Sequence, residues 1–475
     1  MNLEEMDYYQ LRSAVAGIIP RMTQLFQEKR KQGAVREKGR KKGYSEYKID
    51  QGDFVSQERL LNTEEINSFV EISCRAAACP MPMNLDVWDG LVCPYKCRYC
   101  FANAFRASLY TAFFDNSRTM GFRSCSPDKY KAELDKLMKL RGKDPHTVSG
   151  DVAKAFAQEM PVRFGIRFED FIKPEEKKGV SLELLKYLRD EAYPVMINTK
   201  SSLLGKGEYL DALSTNEGKT AVHITLITSD DRILKAIEPG APPYAERIQA
   251  METLVKAGVR VVARIEPYLP FITDEPEEVQ RYIEDLKRIG VEHITFDTYS
   301  YSANNPGIRQ AFLNVGYDFE RIFLIGCDSQ GVGSLLLGKF MEIFRAAGLK
   351  CSTFDMGNAP SNDDAICCEV GDWFNKSGFN DGCTVMAARF IMDTKGPVTW
   401  EMYTDWVNSR GGFLSKSLEL EMHQLWNFEG NEAYSCGWAQ GVTAAGKDDV
   451  GNIVWLFRPE NDFRRELYEG VVDDM

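Results

Sequence analysis

Residues 221–267, AVHITLITSDDRILKAIEPGAPPYAERIQAMETLVKAGVRVVARIEP, pass from an apolar run through a helical pattern to a second apolar run. The outer runs, AVHITLIT (221–228) and VRVVARIEP (259–267), have the length and β-branched content of strands. Between them YAERIQAMETLVKAG (244–258) spaces its apolar residues at close to 3.6 positions and stops at Gly258, as a helix does. A strand, a helix and a strand in that order imply parallel pairing with a right-handed crossover.

The same alternation extends outward. Further apolar runs are NLDVWDGLV (84–92), VRFGI (162–166), YPVMINT (193–199) and HITFDTYS (293–300), with helical patterns LELLKYLRDEA (182–192) and EEVQRYIEDLKRIG (277–290) among them. Six strands predict an α/β fold, a partial (β/α)6 TIM-like barrel with its chemistry at the strand carboxyl ends. Residues 61–310 are assigned to this barrel, 1–60 to an N-terminal arm and 311–475 to a cysteine-rich C-terminal module. The arm contains EKRKQGAVREKGRKK (28–42), eight Lys or Arg against two Glu. That run reads either as a solvated basic arm or as a contact for nucleic-acid phosphates.

The chain has 475 residues, 44% hydrophobic and 27% charged, enough for one large core or two smaller ones. Its net charge of −12 argues against a chain coated in basic surface. No stretch approaches the roughly 20 apolar residues of a membrane span, and the acidic start MNLEEMDYYQLRSAVAG lacks the features of a secretion signal. A reducing, cytoplasmic setting is therefore expected. Twelve cysteines then point to metal binding rather than to disulfides.

Directly after the first strand, CPYKCRYC (93–100) has the spacing C-x3-C-x2-C. Thiolates of Cys93, Cys97 and Cys100 would hold three irons of a [4Fe–4S] cluster and leave the fourth iron open. The amino and carboxylate groups of S-adenosyl-L-methionine (SAM) can occupy that corner. Zinc is the competing reading, but it prefers a closed set of four ligands. No His lies near the loop, and Cys79 and Cys125 are poorly spaced for it. A purely structural cluster in a nucleic-acid-binding protein is a further alternative.

With Tyr99 before its third cysteine, this loop resembles that of the radical SAM superfamily. MINTKSSLL (196–204) and residues 223–274 resemble the spore photoproduct lyase family of DNA-repair enzymes, and the resemblance runs over about 84–300. It implies reductive cleavage of SAM to a 5′-deoxyadenosyl radical and hydrogen abstraction from a nucleobase, a pyrimidine or modified thymine in DNA. It also implies a reductant such as flavodoxin or ferredoxin, and no membrane partner. Tyr99 would lie near the adenine, Lys200 and Ser201 at the SAM carboxylate, and Thr225 and Arg264, with Glu266, toward the same face. Read without the resemblance, Lys200 is a surface turn residue and Thr225 a core position.

The family uses a hydrogen-donating cysteine near the end of the second strand, and VRFGIRFEDF (162–171) contains none. Isomerase or base-modifying chemistry is therefore expected rather than dimer repair. Arg163, Arg167 and Glu169 stand there instead, either facing a polar substrate group or salt-bridged on the barrel rim. Toward the other end, residues 351–383 hold Cys351, Cys367, Cys368 and Cys383 in a turn-rich segment. These four could ligate a second iron–sulfur cluster, bind zinc, or be buried thiols. A second cluster would equally suit a radical SAM enzyme acting on a peptide or small metabolite.

Overall fold

The computed structural model describes residues 5–17, 71–74, 76–77, 79–90, 93–100, 102, 122–299, 311–317, 332–354, 363, 368–370, 373, 380–427 and 442–458. Its strands are β1 (Glu71–Cys74), β2 (Met83–Asp86), β3 (Trp88–Gly90), β4 (Phe122–Ser124), β5 (Val162–Phe164), β6 (Val195–Thr199), β7 (Thr220–Thr225), β8 (Arg260–Tyr268), β9 (His293–Thr298), β10 (Lys350–Thr353), β11 (Val442–Lys447) and β12 (Ile453–Phe457). Eight form one sheet in the order β1-β2-β5-β6-β7-β8-β9-β10. From β2 to β10 every neighbour is parallel, and β1 lies antiparallel on β2. The pairs β3–β4 and β11–β12 are separate antiparallel hairpins.

Each of the six runs read from the sequence contains a strand of this sheet, and the mixed α/β architecture agrees with a partial TIM-like barrel. The first run is interrupted after β2. The amides of Val87 and Trp88 leave the ladder and donate to Asp170 Oδ1, at 3.2 and 3.0 Å, before β3 begins. The crossover helices behave as their periodicity demands. The helix Pro276–Ile289 buries Val279, Tyr282, Leu286 and Ile289, one stripe of its surface.

The two faces of the sheet differ in chemistry. Side chains alternate along a strand, so Val162, Phe164, Val195, Ile197, Val222, Ile224, Val261, Ala263, Ile294 and Phe296 share one face, all buried in the main apolar core. The opposite face carries Asn84, Asp86, Arg163, Asn198, His223, Thr225, Arg264, Glu266, His293 and Thr295. A parallel sheet covered on both sides is ordinarily apolar throughout. Here one buried face is polar, which makes it the lining of a lumen for polar contents.

The sheet does not end at residue 310, the boundary expected from the sequence. The helix Val332–Ala346 leads into β10, whose Cys351 pairs with Ile294 of β9. The expected arm is also partly built into the fold. Residues 8–17 form a helix that buries Tyr8, Leu11 and Val15. The Tyr8 hydroxyl donates to Asp274 Oδ2 and lies 2.6 Å from the Tyr268 hydroxyl, while Arg12 donates to the Asp274 carbonyl at 3.1 Å. The basic run 28–42 lies outside the described residues. Further along, the helices Thr384–Thr394, Trp400–Ser409 and Lys416–Trp426 pack around stacked rings, with Tyr403 and Trp426 centroids 5.3 Å apart. Among the described residues no helix is long and apolar enough to cross a membrane.

Candidate active site at the strand carboxyl ends

The loop Cys93–Cys100 sits at the carboxyl end of the sheet, held from three sides. The Arg98 amide donates to the Ile237 carbonyl at 2.8 Å, and the Gly240 amide donates to the Tyr95 carbonyl at 3.1 Å. Gly240 permits this approach, because a Cβ there would stand 2.0 Å from the Pro94 carbonyl oxygen. The Tyr95 hydroxyl donates to the Phe171 carbonyl at 3.2 Å.

Beneath the loop lies a buried ion pair. Arg247 Nη2 meets Glu238 Oε2 at 2.5 Å, and both side chains are at most 1% exposed. Arg247 also donates to the carbonyls of Thr225, at 2.9 Å, and Pro242, at 2.9 Å, while the Tyr99 hydroxyl donates to Glu238 Oε1. One carboxylate thus ties the cluster loop, the end of β7 and the helix Tyr244–Lys256 together. Burial opposes the Arg247 charge, but Glu238 outweighs it and holds the guanidinium above its ordinary value. Burial, reinforced by Glu238, keeps the Tyr99 phenol protonated.

Lys200 follows β6 and places its ammonium 5.6 Å from the Tyr99 ring centroid. Burial lowers its affinity for a proton, and the neighbouring Cys97 and Glu238 more than restore it. Glu169 positions this turn. Its Oε1 accepts from Thr199 Oγ1 at 2.7 Å and the Phe171 amide at 3.1 Å, and its Oε2 accepts from the Lys200 amide at 3.1 Å. Burial raises the Glu169 carboxyl against these hydrogen bonds. The Ser201 amide donates to Thr199 Oγ1 at 2.8 Å, and Ser201 Oγ accepts from the Leu203 amide at 3.2 Å.

Of the other sequence-nominated residues, Arg163 donates to Asn84 Oδ1 at 2.9 Å, Arg167 pairs with Asp86, and Arg264 pairs with Glu266. Thr225 is buried beside Arg264 in the β7–β8 register. Asp170 was not singled out from the sequence, yet it clips β2 to β5. Besides the two amides named above, it accepts from the Gly165 amide at 2.8 Å. Burial and the nearby Asp86 raise its carboxyl. Glu238, Gly240 and Arg247 lie within residues 223–274 and were not singled out from the sequence. Cys125 lies closer than its place in the chain suggests: its amide donates to the Val87 carbonyl at 2.8 Å, with its side chain buried in the apolar core.

The floor of the lumen is formed by the segment 368–370 and Trp373. His223 Nε2 is 3.1 Å from the Cys368 carbonyl, and Arg260 donates to the Glu369 carbonyl at 2.5 Å while lying over the Trp373 ring. Burial, with the charges of Arg264 and Arg163, holds the His223 imidazole down to about 3, so it is neutral at physiological pH.

The cysteines 351, 367, 368 and 383 do not come together as one set. Cys351 faces the helix-covered side of β10, where its thiol donates to the Met341 carbonyl at 3.5 Å, whereas Cys368 packs with Met81, Met196 and Ala221 at the lumen floor. Cys367 lies outside the described residues.

Residues 90–283 match the family model of the Radical SAM superfamily. These residues, under half of the chain, are therefore a Radical SAM domain. An uncharacterized protein of Mycobacterium tuberculosis is 20% identical to this chain over 234 residues, 48% of the chain and 64% of that protein. The chain therefore spans under two thirds of that relative's length. An uncharacterized protein of Acidianus two-tailed virus is 26% identical over 102 residues, 21% of the chain and 33% of that protein. Among solved structures, a spore photoproduct lyase variant with bound AdoMet and dinucleoside spore photoproduct aligns with a TM-score of 0.38 at 16% identity, over 52% of this chain and 64% of that one. Streptococcus suis SuiB bound to the precursor peptide SuiA aligns with a TM-score of 0.38 at 14% identity, over 71% and 64% respectively.

A Radical SAM domain implies a [4Fe–4S] cluster and SAM, and the residues of the loop Cys93–Cys100 fit the cluster in type and spacing. A cubane asks for one thiolate on each of three irons, and Cys93, Cys97 and Cys100 are close enough for charge on one to act on another. Lys200 supplies a cation beside them.

Proposed function

We propose that this radical SAM enzyme abstracts hydrogen from a nucleobase, a pyrimidine or modified thymine of DNA, in isomerase, lyase or base-modifying chemistry. When bound, the cluster and SAM supply the 5′-deoxyadenosyl radical for that step. Cys93, Cys97 and Cys100 hold the cluster. Lys200 and Ser201 receive the SAM carboxylate, with Tyr99 beside the adenine and Thr225 and Arg264 on the same face. Glu169 acts through the Thr199–Lys200 turn that it positions. Arg163 and Arg167 line the substrate side.

The observation that carries the substrate class is the pair Asn198 and Arg163 on neighbouring strands of the polar face. Asn198 is 4% exposed, and its Oδ1 has no hydrogen-bond partner among the described residues. A buried polar atom without a partner is costly, which favours a ligand that supplies one. Arg163 has no carboxylate partner among the described residues, only Asn84. A carboxamide oxygen accepts an N–H and a guanidinium donates to a carbonyl, so together they match the edge of a pyrimidine. A base in a duplex must be extruded to reach such a lumen. The run 28–42 supplies cations for the phosphates, and the resemblance of residues 196–204 and 223–274 to spore photoproduct lyases points the same way. The reading includes a reductant such as flavodoxin or ferredoxin, a cytoplasmic setting and a second iron–sulfur cluster.

The test is the rate of 5′-deoxyadenosine formation from SAM with DNA, RNA or free nucleosides added. Acceleration by DNA or deoxynucleosides supports the proposal. No response to any nucleic acid or nucleoside overturns it in favour of a peptide or small-metabolite substrate.

A further inference from the structure

The C-terminal helices and hairpin form one unit. The helix Thr384–Thr394 is followed by Val398, the helix Trp400–Ser409, the turn 410–415, the helix Lys416–Trp426 and the hairpin β11–β12. Val398 joins the hairpin: its amide donates to the Trp455 carbonyl at 2.7 Å, and the Trp455 amide donates back at 2.9 Å. A helix, a strand, two helices and two strands, with the first strand beside the last, is the chain order of a winged helix-turn-helix. Both later helices are capped, Thr399 accepting from the Met402 amide at 3.2 Å and Ser415 from the Leu418 amide at 3.0 Å. The turn between them contains Gly411 and Gly412 at φ of 126° and 80°, backbone that glycine adopts without strain.

The hairpin lies against the third helix as a wing does. Trp426 Nε1 donates to the Ile453 carbonyl at 2.7 Å, the Ile453 amide donates to Asn427 Oδ1 at 2.8 Å, and His423 Nε2 is 2.8 Å from Asn452 Oδ1. Inward, this helix buries Leu418, Met422 and Trp426. At about 100° per residue, Lys416, Leu420 and Gln424 stand about 200° around the helix from that row. All three are exposed, Leu420 to 59%.

We propose, on the DNA reading above, that this module binds duplex DNA, with Lys416, Leu420 and Gln424 as the side chains that enter the major groove. In a helix-turn-helix the second helix of the pair lies in that groove. Base edges there are met by lysine at guanine, by glutamine at adenine and by apolar side chains at the thymine methyl. Those are the three residue types of the outward stripe. Glu419 and Glu421 are exposed on its two sides, about 100° from the buried row, and repel phosphates. The helix therefore contributes register and sequence preference more than affinity, and the Lys and Arg of 28–42 supply the affinity. The lumen takes an extruded base, and the module holds the duplex that the base leaves.

In the test, the full chain, reconstituted anaerobically, is titrated into a labelled duplex of mixed sequence and into one of its strands alone, with fluorescence anisotropy read over a range of salt. The duplex should bind more tightly than the single strand. Lys416→Ala/Gln424→Ala should weaken duplex binding by about tenfold, the worth of one good base contact. It should also lower the slope of log Kd against log salt by about one, with less effect on the single strand. Glu419→Gln/Glu421→Gln should tighten duplex binding severalfold, a gain that misfolding cannot give. An equal loss on duplex and single strand, or duplex affinity unaltered by both pairs of substitutions, overturns the inference and leaves the helix to a polypeptide partner. The nucleobase reading of the lumen would then still stand on acceleration of 5′-deoxyadenosine formation by free deoxynucleosides. A chain that binds no DNA and responds to no deoxynucleoside overturns both.

Discussion

Replacing Gly240 by alanine tests how the cluster loop is held. The added Cβ would lie 2.0 Å from the Pro94 carbonyl oxygen and 2.9 Å from both Pro94 C and Tyr95 Cα. Ordinary contact begins at 3.4 Å, so the loop must retreat by about 1.4 Å. Every obstructing atom is loop backbone, and no side chain can swing aside to absorb the overlap. Metal–ligand distances tolerate only about 0.2 Å, and overpacking of this kind costs about 1–3 kcal/mol. Gly240→Ala should therefore lose most of the iron bound through Cys93, Cys97 and Cys100 and lower the unfolding midpoint. The assay is iron per chain after anaerobic reconstitution, with electron paramagnetic resonance of the reduced protein before and after SAM. Gly17→Ala, at a helical position where a Cβ meets nothing within 4 Å, is the control. Full iron and an unchanged SAM response in Gly240→Ala would refute the packing argument.

Three further outcomes follow from the same geometry. Arg247→Ala leaves the Glu238 carboxylate buried without its cation and should destabilise the fold by about 3–5 kcal/mol in urea unfolding; a loss under 1 kcal/mol would contradict the ion pair's role. Glu169→Ala frees the Thr199–Lys200 turn and should weaken SAM binding by about tenfold, the worth of a charge-assisted hydrogen bond, with iron content unchanged; equal loss of iron would mean the residue supports the fold instead. His223 is depressed to about 3 in the fold against about 6.5 unfolded. Its contribution is therefore fully present above pH 6.5 and is lost as pH falls toward 3. Between pH 7 and pH 5 this amounts to about 2 kcal/mol, which His223→Gln should abolish; identical pH slopes in both proteins would contradict a buried neutral imidazole.

The periodicity of 221–267 and its neighbours disclosed the parallel strands because local pattern dictates them. It could not disclose that NLDVWDGLV breaks at Val87, since the break is made by Asp170, more than 80 residues away. KCST (350–353) is too short to announce itself as a strand, so Cys351 read only as one of four cysteines in a turn-rich segment, ligand or buried thiol, and not as part of the sheet. The cluster cysteines were legible because their spacing lies within one loop. Glu238 and Arg247 act across the fold, and a lone Glu and a helical Arg look like surface residues in one dimension. Their burial as a pair is a property of the packing. Similarly, the amino-terminal helix shows its purpose only when Tyr8 meets Tyr268 and Asp274.

The central claim is that the Cys93, Cys97 and Cys100 thiolates leave one iron of a cluster open to SAM. Its most direct test is electron paramagnetic resonance of the anaerobically reconstituted, reduced chain, titrated with SAM and followed by assay for 5′-deoxyadenosine. The account predicts a cluster signal that changes on adding SAM, with 5′-deoxyadenosine formed, and loss of both in Cys97→Ala. A zinc-bound protein, or an iron signal indifferent to SAM, would contradict it.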